Sequence, residues 1–215
     1  MKLEIHPISE SALVCTLPAP ADLSKQQTIW AFAADSESLS GVAEVVPGMN
    51  NLTVFAEPQT DLAALAGRLH DVWLRVGAAA YEGKTVEIPV VYGGAFGGDL
   101  AEVAAFHKIT PEEVVKRHTA PTYTVFMMGF QPGFPYLGGL PEHLHTPRRA
   151  VPRTSVPAGS VGIGGGQTGV YPFASPGGWQ IIGQTGLPLF RADLNPPTLL
   201  AAGDKVRFVA ERIEK

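Results

Sequence analysis

The feature that most constrains the fold is a run of 37 residues, from Thr154 to Phe190, that contains no Asp, Glu, Lys or Arg. Charged residues make up roughly a quarter of an ordinary globular chain, and most of them lie on its solvated surface. A chargeless run of this length cannot lie mostly exposed on an isolated monomer. It predicts that the interior of a β barrel or a partner protein covers much of the segment.

Glycine and proline punctuate the same half of the chain. Residues 129–186 hold 14 of the 24 glycines, and no stretch is repetitive or of low complexity, which favours turn-rich β structure over disorder. From Tyr123 onward, short apolar runs alternate with glycine and proline. A closed or nearly closed barrel is the simplest arrangement for so many short strands.

The first half of the chain alternates strand and helix signals. Two strands with apolar residues at every second position precede a helix predicted from Ala21 to about Ala34. A hairpin then turns at residues 47–51, and a helix with apolar residues three and four apart follows from Asp61. The order ββαββα predicts a small α/β sandwich. We therefore predict an α+β chain with two domains, residues 1–83 and 84–215, joined in the segment from Ala78 to Lys84.

One helix start stands out within the second half. Thr110 offers a capping hydroxyl, Pro111 occupies the first helical position, and Glu112 and Glu113 place acids in the first turn. The combination predicts a helix over residues 114–118 and carries no information about chemistry.

Composition excludes several classes of function. With 16 Lys and Arg against 20 Asp and Glu and no basic block, nucleic acid is not an expected partner. No apolar run approaches the roughly 20 residues that span a bilayer, and the first residues do not read as a secretion signal, so we expect a cytoplasmic protein. The single cysteine, Cys15, excludes an internal disulfide and alternates with leucines as a buried strand residue would.

The segment from Gly162 to Gly169 leaves three interpretations open. A phosphate-binding loop is disfavoured, because no Lys follows the glycines and the residues after them, Val170 to Pro172, cannot open a helix. A tight β turn with bulges is the plainest structure. The third interpretation is a ligand loop in which Gln167 and Thr168 donate hydrogen bonds.

Three arginines, Arg148, Arg149 and Arg153, border the chargeless run. The planar guanidinium suits carboxylate or phosphate, so the cluster indicates either an anion site or an ordinary solvated loop with surface ion pairs. His143 and His145 lie beside it, but no nearby Cys, Asp or Glu completes a metal-binding set, and we predict no metal site.

Aromatic residues occupy the same loops. Phe134 and Tyr136 lie within the rigid loop composition Pro-Gly-Phe-Pro-Tyr. Aromatic side chains in a barrel usually belong to the core, and the alternative is that these two anchor a partner or line a pocket.

Several long motifs resemble those of the KipI/PxpB family, also called allophanate hydrolase subunit 1, which carries carboxyltransferase subdomains C and D. The segments that carry the resemblance are PGMNN at 47–51, IPVVYGG at 88–94, GFQPGFPYLGGLPEHLHTPRR at 129–149, VPAGSVGIGGGQTGVYPFASPGGWQIIGQT at 156–185 and GDKVRFV at 203–209. Their order and spacing cover nearly the whole chain.

The resemblance implies an N-terminal α/β domain followed by a cyclophilin-like β barrel. It also implies the B component of an ATP-dependent 5-oxoprolinase, which converts 5-oxo-L-proline to L-glutamate together with a PxpC-like C component and a PxpA-like A component. The chain would be inactive alone. ATP with Mg²⁺ would be a substrate of the complex, and no tightly bound cofactor is expected.

For this chemistry the candidates for binding anionic groups are Arg148, Arg149 and Arg153. The candidate hydrogen-bond donors are Gln131, Gln167 and Thr168. Catalytic residues are not identified. The family also leaves open a KipI-like regulatory protein that inhibits a sensor histidine kinase and, less favoured, a carboxyltransferase module that acts with a biotin carrier.

Overall fold

A computed structural model describes residues 2–77 and 83–214. The chain forms two compact units, Met1–Tyr81 and Glu82–Lys215. Residues 78–82, which make up most of the segment assigned to the domain boundary, lie outside the described residues. The predicted boundary between residues 83 and 84 therefore stays a prediction.

The first unit follows the order ββαββα. Its elements are β1 (Glu4–Ser9), β2 (Ala12–Thr16), α1 (Leu23–Ser36), β3 (Val42–Gly48), β4 (Asn51–Ala56) and α2 (Leu62–Trp73). The strands form one antiparallel sheet in the order β1-β2-β4-β3. Both helices pack on this sheet, as the amphipathic pattern predicts.

Aspartate side chains set the start of both helices. An Asp22 carboxylate oxygen accepts the backbone N–H of Lys25 at 2.8 Å, so α1 begins at Leu23, slightly later than predicted. The carboxylate of Asp61 accepts two backbone N–H groups in the first turn of α2, which confirms the predicted helix start.

The hairpin between β3 and β4 is tighter than predicted. Both strands extend into the expected connection and leave only Met49 and Asn50 as the turn. Asn50 adopts a φ of 62°, a left-handed conformation that Asn tolerates better than most residues. The side-chain oxygen of Gln26 accepts the backbone N–H of Asn50 at 3.0 Å, and this bond fastens the short turn to α1.

Cys15 is a core residue of the first unit. Its side chain is fully buried in β2 among apolar residues of the sheet and helices. Burial raises the pKa of its thiol to about 12, so the sulfur stays protonated at neutral pH. The prediction of a buried strand cysteine is confirmed.

The second unit is built on a closed barrel. Its strands are β5 (Thr85–Gly93), β6 (Tyr123–Met128), β7 (Pro135–Gly138), β8 (Arg153–Val156), β9 (Ser160–Gly164), β10 (Gln167–Val170), β11 (Ser175–Gly177), β12 (Gln180–Gln184) and β13 (Lys205–Glu214). Seven strands close the barrel in the order β10-β7-β6-β13-β5-β12-β9, and β8 pairs with β11 outside it. Strands β5 and β13 run parallel, and the other barrel pairs are antiparallel.

Two helices pack against the barrel. They are α3 (Leu100–His107) and α4 (Pro111–Thr119), and a 3₁₀ turn, Glu142–Leu144, lies beside them. The Thr110 hydroxyl accepts the backbone N–H of Glu113 at 3.2 Å, so the predicted cap and helix are confirmed. Among the described residues, no helix is long and apolar enough to cross a membrane.

The barrel explains much of the chargeless run. Strands β9, β10 and β12 all lie within it, and Val161 and Ile163 of β9 point into the barrel core. Gly162 and Gly164 alternate with them and face outward, where the Trp179 side chain covers both. Since both faces of β9 are buried within this chain, the strand needs no charged residue and no partner to cover it.

Candidate functional site

Five aromatic residues form a cup on the outer face of the barrel. The aromatic cup consists of Phe130, Phe134, Tyr136, Tyr171 and Trp179, and with Arg148, Pro176 and Gly177 it lines a cavity of about 70 Å³. The loop between β6 and β7 supplies Phe130 and Phe134, and Tyr136 lies in β7. Tyr171 directly follows β10, and Trp179 directly precedes β12. The cup is therefore assembled by barrel strands and their short connections.

Phe134 is the centre of the cup. It is 1% exposed, and its ring centroid lies 4.9 Å from that of Tyr136, 5.1 Å from that of Tyr171 and 5.6 Å from that of Trp179. The contacts with Tyr171 and Trp179 are edge-to-face, the favourable arrangement for aromatic pairs. Phe134 thus belongs to a small core and also walls the cavity, so both interpretations of this residue apply.

The rings of the cup pack closely on the backbone of several glycines. A Cβ at Gly164 would lie 2.5 Å from the Trp179 indole nitrogen, and one at Gly169 would lie 3.2 Å from both Phe134 and Trp179. A Cβ at Gly177 would lie 2.6 Å from the Tyr171 hydroxyl. The bare backbone here makes room for the protein's own aromatic side chains.

The glycine-rich segment itself is a β hairpin. Gln167 pairs with Gly164, and Gly165 and Gly166 form the turn between β9 and β10, with Gly165 at a φ of 66°. No helix N-terminus follows, so the backbone amides do not converge on a phosphate as in a nucleotide loop. The structure shows the tight turn and does not fit the phosphate-binding loop, and ligand binding through Gln167 stays a prediction.

Phe130 lies at the rim of the cup in an unusual conformation. It is 59% exposed, and its φ is 64°, a region that bulky residues rarely enter. The ring nevertheless packs edge-to-face on Phe134 at 5.4 Å. An exposed aromatic side chain held at a strained backbone position is typical of functional sites.

Arg148 supplies the positive charge of the cup. Its side chain is exposed, and within the described residues it forms no ion pair and no hydrogen bond. Burial raises the pKa values of the Tyr136 and Tyr171 hydroxyls, and the charge of Arg148 opposes both shifts, which places the guanidinium near the two hydroxyls. Its donors are therefore available to an anion at the mouth of the cup.

Arg149 and Arg153 are engaged differently. Both donate to one carboxylate oxygen of Asp99, at 2.9 Å and 2.6 Å, and the other oxygen accepts the backbone N–H of Ile181 at 2.6 Å. The Asp99 side chain is only 2% exposed. Through Asp99, the two arginines are linked to the start of α3 and to β12. Their positive charge is thus partly neutralised by a structural ion pair.

Asp99 was not among the predicted residues. It lies roughly 50 positions before its partners, and nothing in the local sequence separates it from a helix-capping aspartate. Among the described residues, the predicted cluster of three arginines is therefore one arginine without a partner and two that share a buried carboxylate.

A second and larger cleft adjoins the cup. It has a volume of about 480 Å³ and is lined by Glu102, Val103, Phe106, Thr146, Pro147, Arg148, Arg149, Ala150, Val151 and Gln180. Arg148 lines both cavities. A ligand in the cup and a ligand in the cleft would therefore contact the same guanidinium.

The three predicted hydrogen-bond donors differ in their surroundings. Gln131 and Gln167 are partly exposed, and in the described part of the chain the Oε1 of Gln131 and the Nε2 of Gln167 are buried atoms without a hydrogen-bond partner. Thr168 is fully buried, and its hydroxyl donates to the Gly162 carbonyl at 2.9 Å. Its one proton is used inside the barrel, so the geometry argues against Thr168 as a ligand donor.

The buried partner of Thr168 is His118, which the sequence did not distinguish from the other histidines. Its Nε2 lies 2.9 Å from the Thr168 oxygen and its Nδ1 lies 2.8 Å from the Tyr92 hydroxyl. Since the Thr168 proton goes to Gly162, Nε2 must carry the ring proton and Nδ1 must accept from Tyr92. Burial lowers the pKa of His118 to about 3, so this histidine is neutral and structural.

A metal ion requires a group of ligand side chains such as His, Cys, Asp or Glu. Among residues 2–77 and 83–214, no three His, Cys, Asp or Glu residues are grouped so that they could hold a metal ion. The Nε2 of His145 donates to the Leu140 carbonyl at 3.0 Å and has a structural task.

Comparison with known families assigns the chain. The family described as "Carboxyltransferase domain, subdomain C and D" matches residues 3–200. The chain belongs to this family. The resemblance inferred from the motifs is thereby confirmed.

Relatives within the carboxyltransferase subdomain C and D family are close. A protein of Haemophilus influenzae that is named as the B subunit of 5-oxoprolinase is 57% identical over 99% of this chain and 100% of its own length. One of the same name from Escherichia coli O157:H7 is 52% identical over 95% of this chain and 94% of its own. Neither name favours the KipI-like regulatory alternative.

A solved structure supports the fold independently. The urea amidolyase of K. lactis superimposes with a TM-score of 0.82 over 98% of this chain, which corresponds to 15% of that much longer protein. At 17% identity this likeness bears on the fold alone. It agrees with the predicted α+β class and with the barrel of the second unit.

Proposed function

We propose that this chain is the B subunit of an ATP-dependent 5-oxoprolinase, which opens 5-oxo-L-proline to L-glutamate. The observation that carries the proposal is the identity of 57% with the Haemophilus influenzae protein of that name, over almost the full length of both chains. A match of this extent covers both units of the chain, so the proposal applies to the two units together.

The proposed chemistry explains the need for ATP. A lactam carbonyl is a poor electrophile, and transfer of the γ-phosphoryl group of ATP to its oxygen activates the carbon towards water. In the proposed reaction water adds to that carbon, the C–N bond breaks to open the ring and leave an acyl phosphate of glutamate, and a second water hydrolyses the acyl phosphate to glutamate and phosphate. Magnesium and cationic side chains stabilise the charge on the transferring phosphoryl group. We therefore place ATP with Mg²⁺ and 5-oxoproline as substrates of the complex.

The geometry supports a binding task for this chain. Arg148 lines both cavities and offers unpaired donors within the described residues. Gln131 and Gln167 line neither cavity, and their role as hydrogen-bond donors to a ligand stays a prediction. The described residues that line the cup include no carboxylate and no thiol. We accordingly assign substrate binding and orientation to this chain. The remaining acid, base and phosphate-binding groups would come from a PxpA-like A component and a PxpC-like C component, so that the chain alone is inactive.

The test is an omission experiment. Release of glutamate and ADP from 5-oxoproline and Mg-ATP is measured with this chain and its A and C partners, and then with each protein left out. We expect turnover only from the full mixture. Full turnover without this chain would contradict the proposal and would favour a regulatory protein instead.

A further inference from the structure

Resting on the proposed function, we propose that the aromatic cup is the binding site for the lactam ring of 5-oxoproline, with Arg148 as the partner of its carboxylate. Three properties of the cup support this assignment: its size, the nature of its walls and the position of its one charge.

The size of the cavity selects a small ligand. A buried water needs a volume of about 10–15 Å³ measured in a comparable way, whereas sites for larger ligands have volumes of roughly 300–1,000 Å³. The cup, at about 70 Å³, lies between these values. It suits a single small ring and is too small for a nucleotide.

The walls suit a small ring that carries polar groups. Aromatic side chains line the cavity, edge-to-face contacts with Phe134 hold Tyr171 and Trp179 in place, and Arg148 and the two tyrosines add polar groups. Phe130 stands at the rim and is 59% exposed. The methylene and methine carbons of a five-membered lactam can pack against such rings.

The charge selects an anion on that ring. Arg148 lines the cup and makes no ion pair or hydrogen bond within the described residues, whereas Arg149 and Arg153 share Asp99. The exposed guanidinium of Arg148 can bind a carboxylate with two charge-assisted hydrogen bonds at the mouth of the cup. 5-Oxoproline carries both the small ring and the single carboxylate.

The test is ligand binding to the assembled complex without ATP, measured by isothermal titration calorimetry. The two ligands are 5-oxoproline and 2-pyrrolidinone, the same lactam without the carboxylate. For Arg148→Ala we expect the Kd of 5-oxoproline to rise by about tenfold to hundredfold, the usual range for loss of one charge-assisted hydrogen-bonded pair. The Kd of 2-pyrrolidinone should stay within about twofold of the wild-type value, since it lacks the group that Arg148 binds.

Two further variants complete the design. Tyr136→Leu removes a ring from the wall and should weaken both ligands by similar factors, with circular dichroism to verify folding. Arg207→Ala is the matched control, because Arg207 is an exposed arginine on β13 that pairs with Glu87, at 3.4 Å, and lies outside the cup. It should leave both Kd values unchanged.

The outcomes separate this inference from the proposed function. Turnover of 5-oxoproline with an unchanged Kd in Arg148→Ala would overturn the cup as the site and leave the proposed function standing. Binding that depends on both Arg148 and Tyr136 without any turnover would support the cup and contradict the proposed function, whereas binding that depends on Arg148 alone would move the site to the adjoining cleft and overturn the cup. A complex that neither binds nor turns over 5-oxoproline would overturn both, and a higher KM for ATP alone would reassign Arg148 to the nucleotide.

Discussion

At the scale of single residues, His118 gives the chain a defined dependence of stability on pH. The folded state holds this imidazole neutral, with a pKa of about 3, whereas an unfolded histidine has a pKa of about 6.5. Between these values the unfolded state binds more protons, so the stability is present at neutral pH and is lost as the pH falls.

We expect the free energy of unfolding to fall by about 2 kcal/mol between pH 7 and pH 5 because of His118 alone. Urea unfolding at both pH values, compared with His118→Gln, isolates this contribution, since other titrating groups act in both proteins. Equal pH dependence in the two would contradict it. Should the variant fold poorly, ¹⁵N NMR of the wild type gives a second check, in which Nε2 stays protonated and Nδ1 unprotonated down to pH 5.

Asp99 is the second residue whose contribution to stability can be measured. Asp99→Ala removes the shared acceptor of Arg149, Arg153 and the Ile181 amide, and we expect the free energy of unfolding to drop by about 2–4 kcal/mol. Glu102→Ala is the control, because that side chain is 67% exposed and lies 3.5 Å from Arg149, so its loss should cost less than about 1 kcal/mol. Chemical denaturation measures both. Similar losses from the two substitutions would show that Asp99 does not organise the loop.

The sequence predicts these residues unevenly. Cys15 was predicted correctly because a strand pattern is local, with period two. Asp99 and His118 were missed because their partners lie far along the chain and only the closed barrel brings them together. Arg148 and Arg149 are neighbours of the same type, yet their side chains differ in task, and no local signal separates them.

At the scale of elements, helices and strands were predicted best where caps and periodicity coincide. The starts at Asp61 and Thr110 follow from side-chain oxygens that cap backbone N–H groups, a contact within a few residues. The turn at Met49 and Asn50 was predicted too long, because the bond from Asn50 to Gln26 that permits the tight turn joins distant segments.

Two glycines of opposite character test how these elements are packed. Gly164→Ala places a Cβ against the Trp179 indole, and we expect a loss of about 1–3 kcal/mol in the free energy of unfolding together with a changed tryptophan fluorescence spectrum. Gly67→Ala in α2 meets nothing within 4 Å and should stabilise the chain by about 0.5–1 kcal/mol, because Gly is disfavoured in helices. Thermal denaturation compares both with the wild type. An unchanged free energy of unfolding in Gly164→Ala would mean that the indole does not pack against Gly164.

At the scale of the whole molecule, the chargeless run gave the most useful prediction, and the topology shows that three of its strands, β9, β10 and β12, belong to the closed barrel. The alternation of Val161 and Ile163 with glycines favours a strand buried on both faces, but only the barrel closure shows what buries each face. The aromatic cup follows from the same closure, since its members come from separate connections and strands of one barrel.

The last prediction concerns the independence of the barrel unit. The residues of its two hydrophobic clusters all lie between positions 86 and 208, and those of the other cluster all lie between positions 3 and 76. A fragment of residues 83–215 also keeps the hydrogen bonds that join Lys84 to Asp204 and Lys205. We therefore expect this fragment to unfold cooperatively in urea and to keep a near-ultraviolet circular dichroism signal from its aromatic residues.

A shorter fragment provides the control. Residues 95–215 lack β5, the strand that lies between β13 and β12 in the closed barrel, so two edges would be left unpaired. We expect that fragment to show no cooperative transition. If residues 83–215 behaved in the same way, the barrel would depend on the first 82 residues for its stability, and the predicted division of the chain into two domains would be wrong.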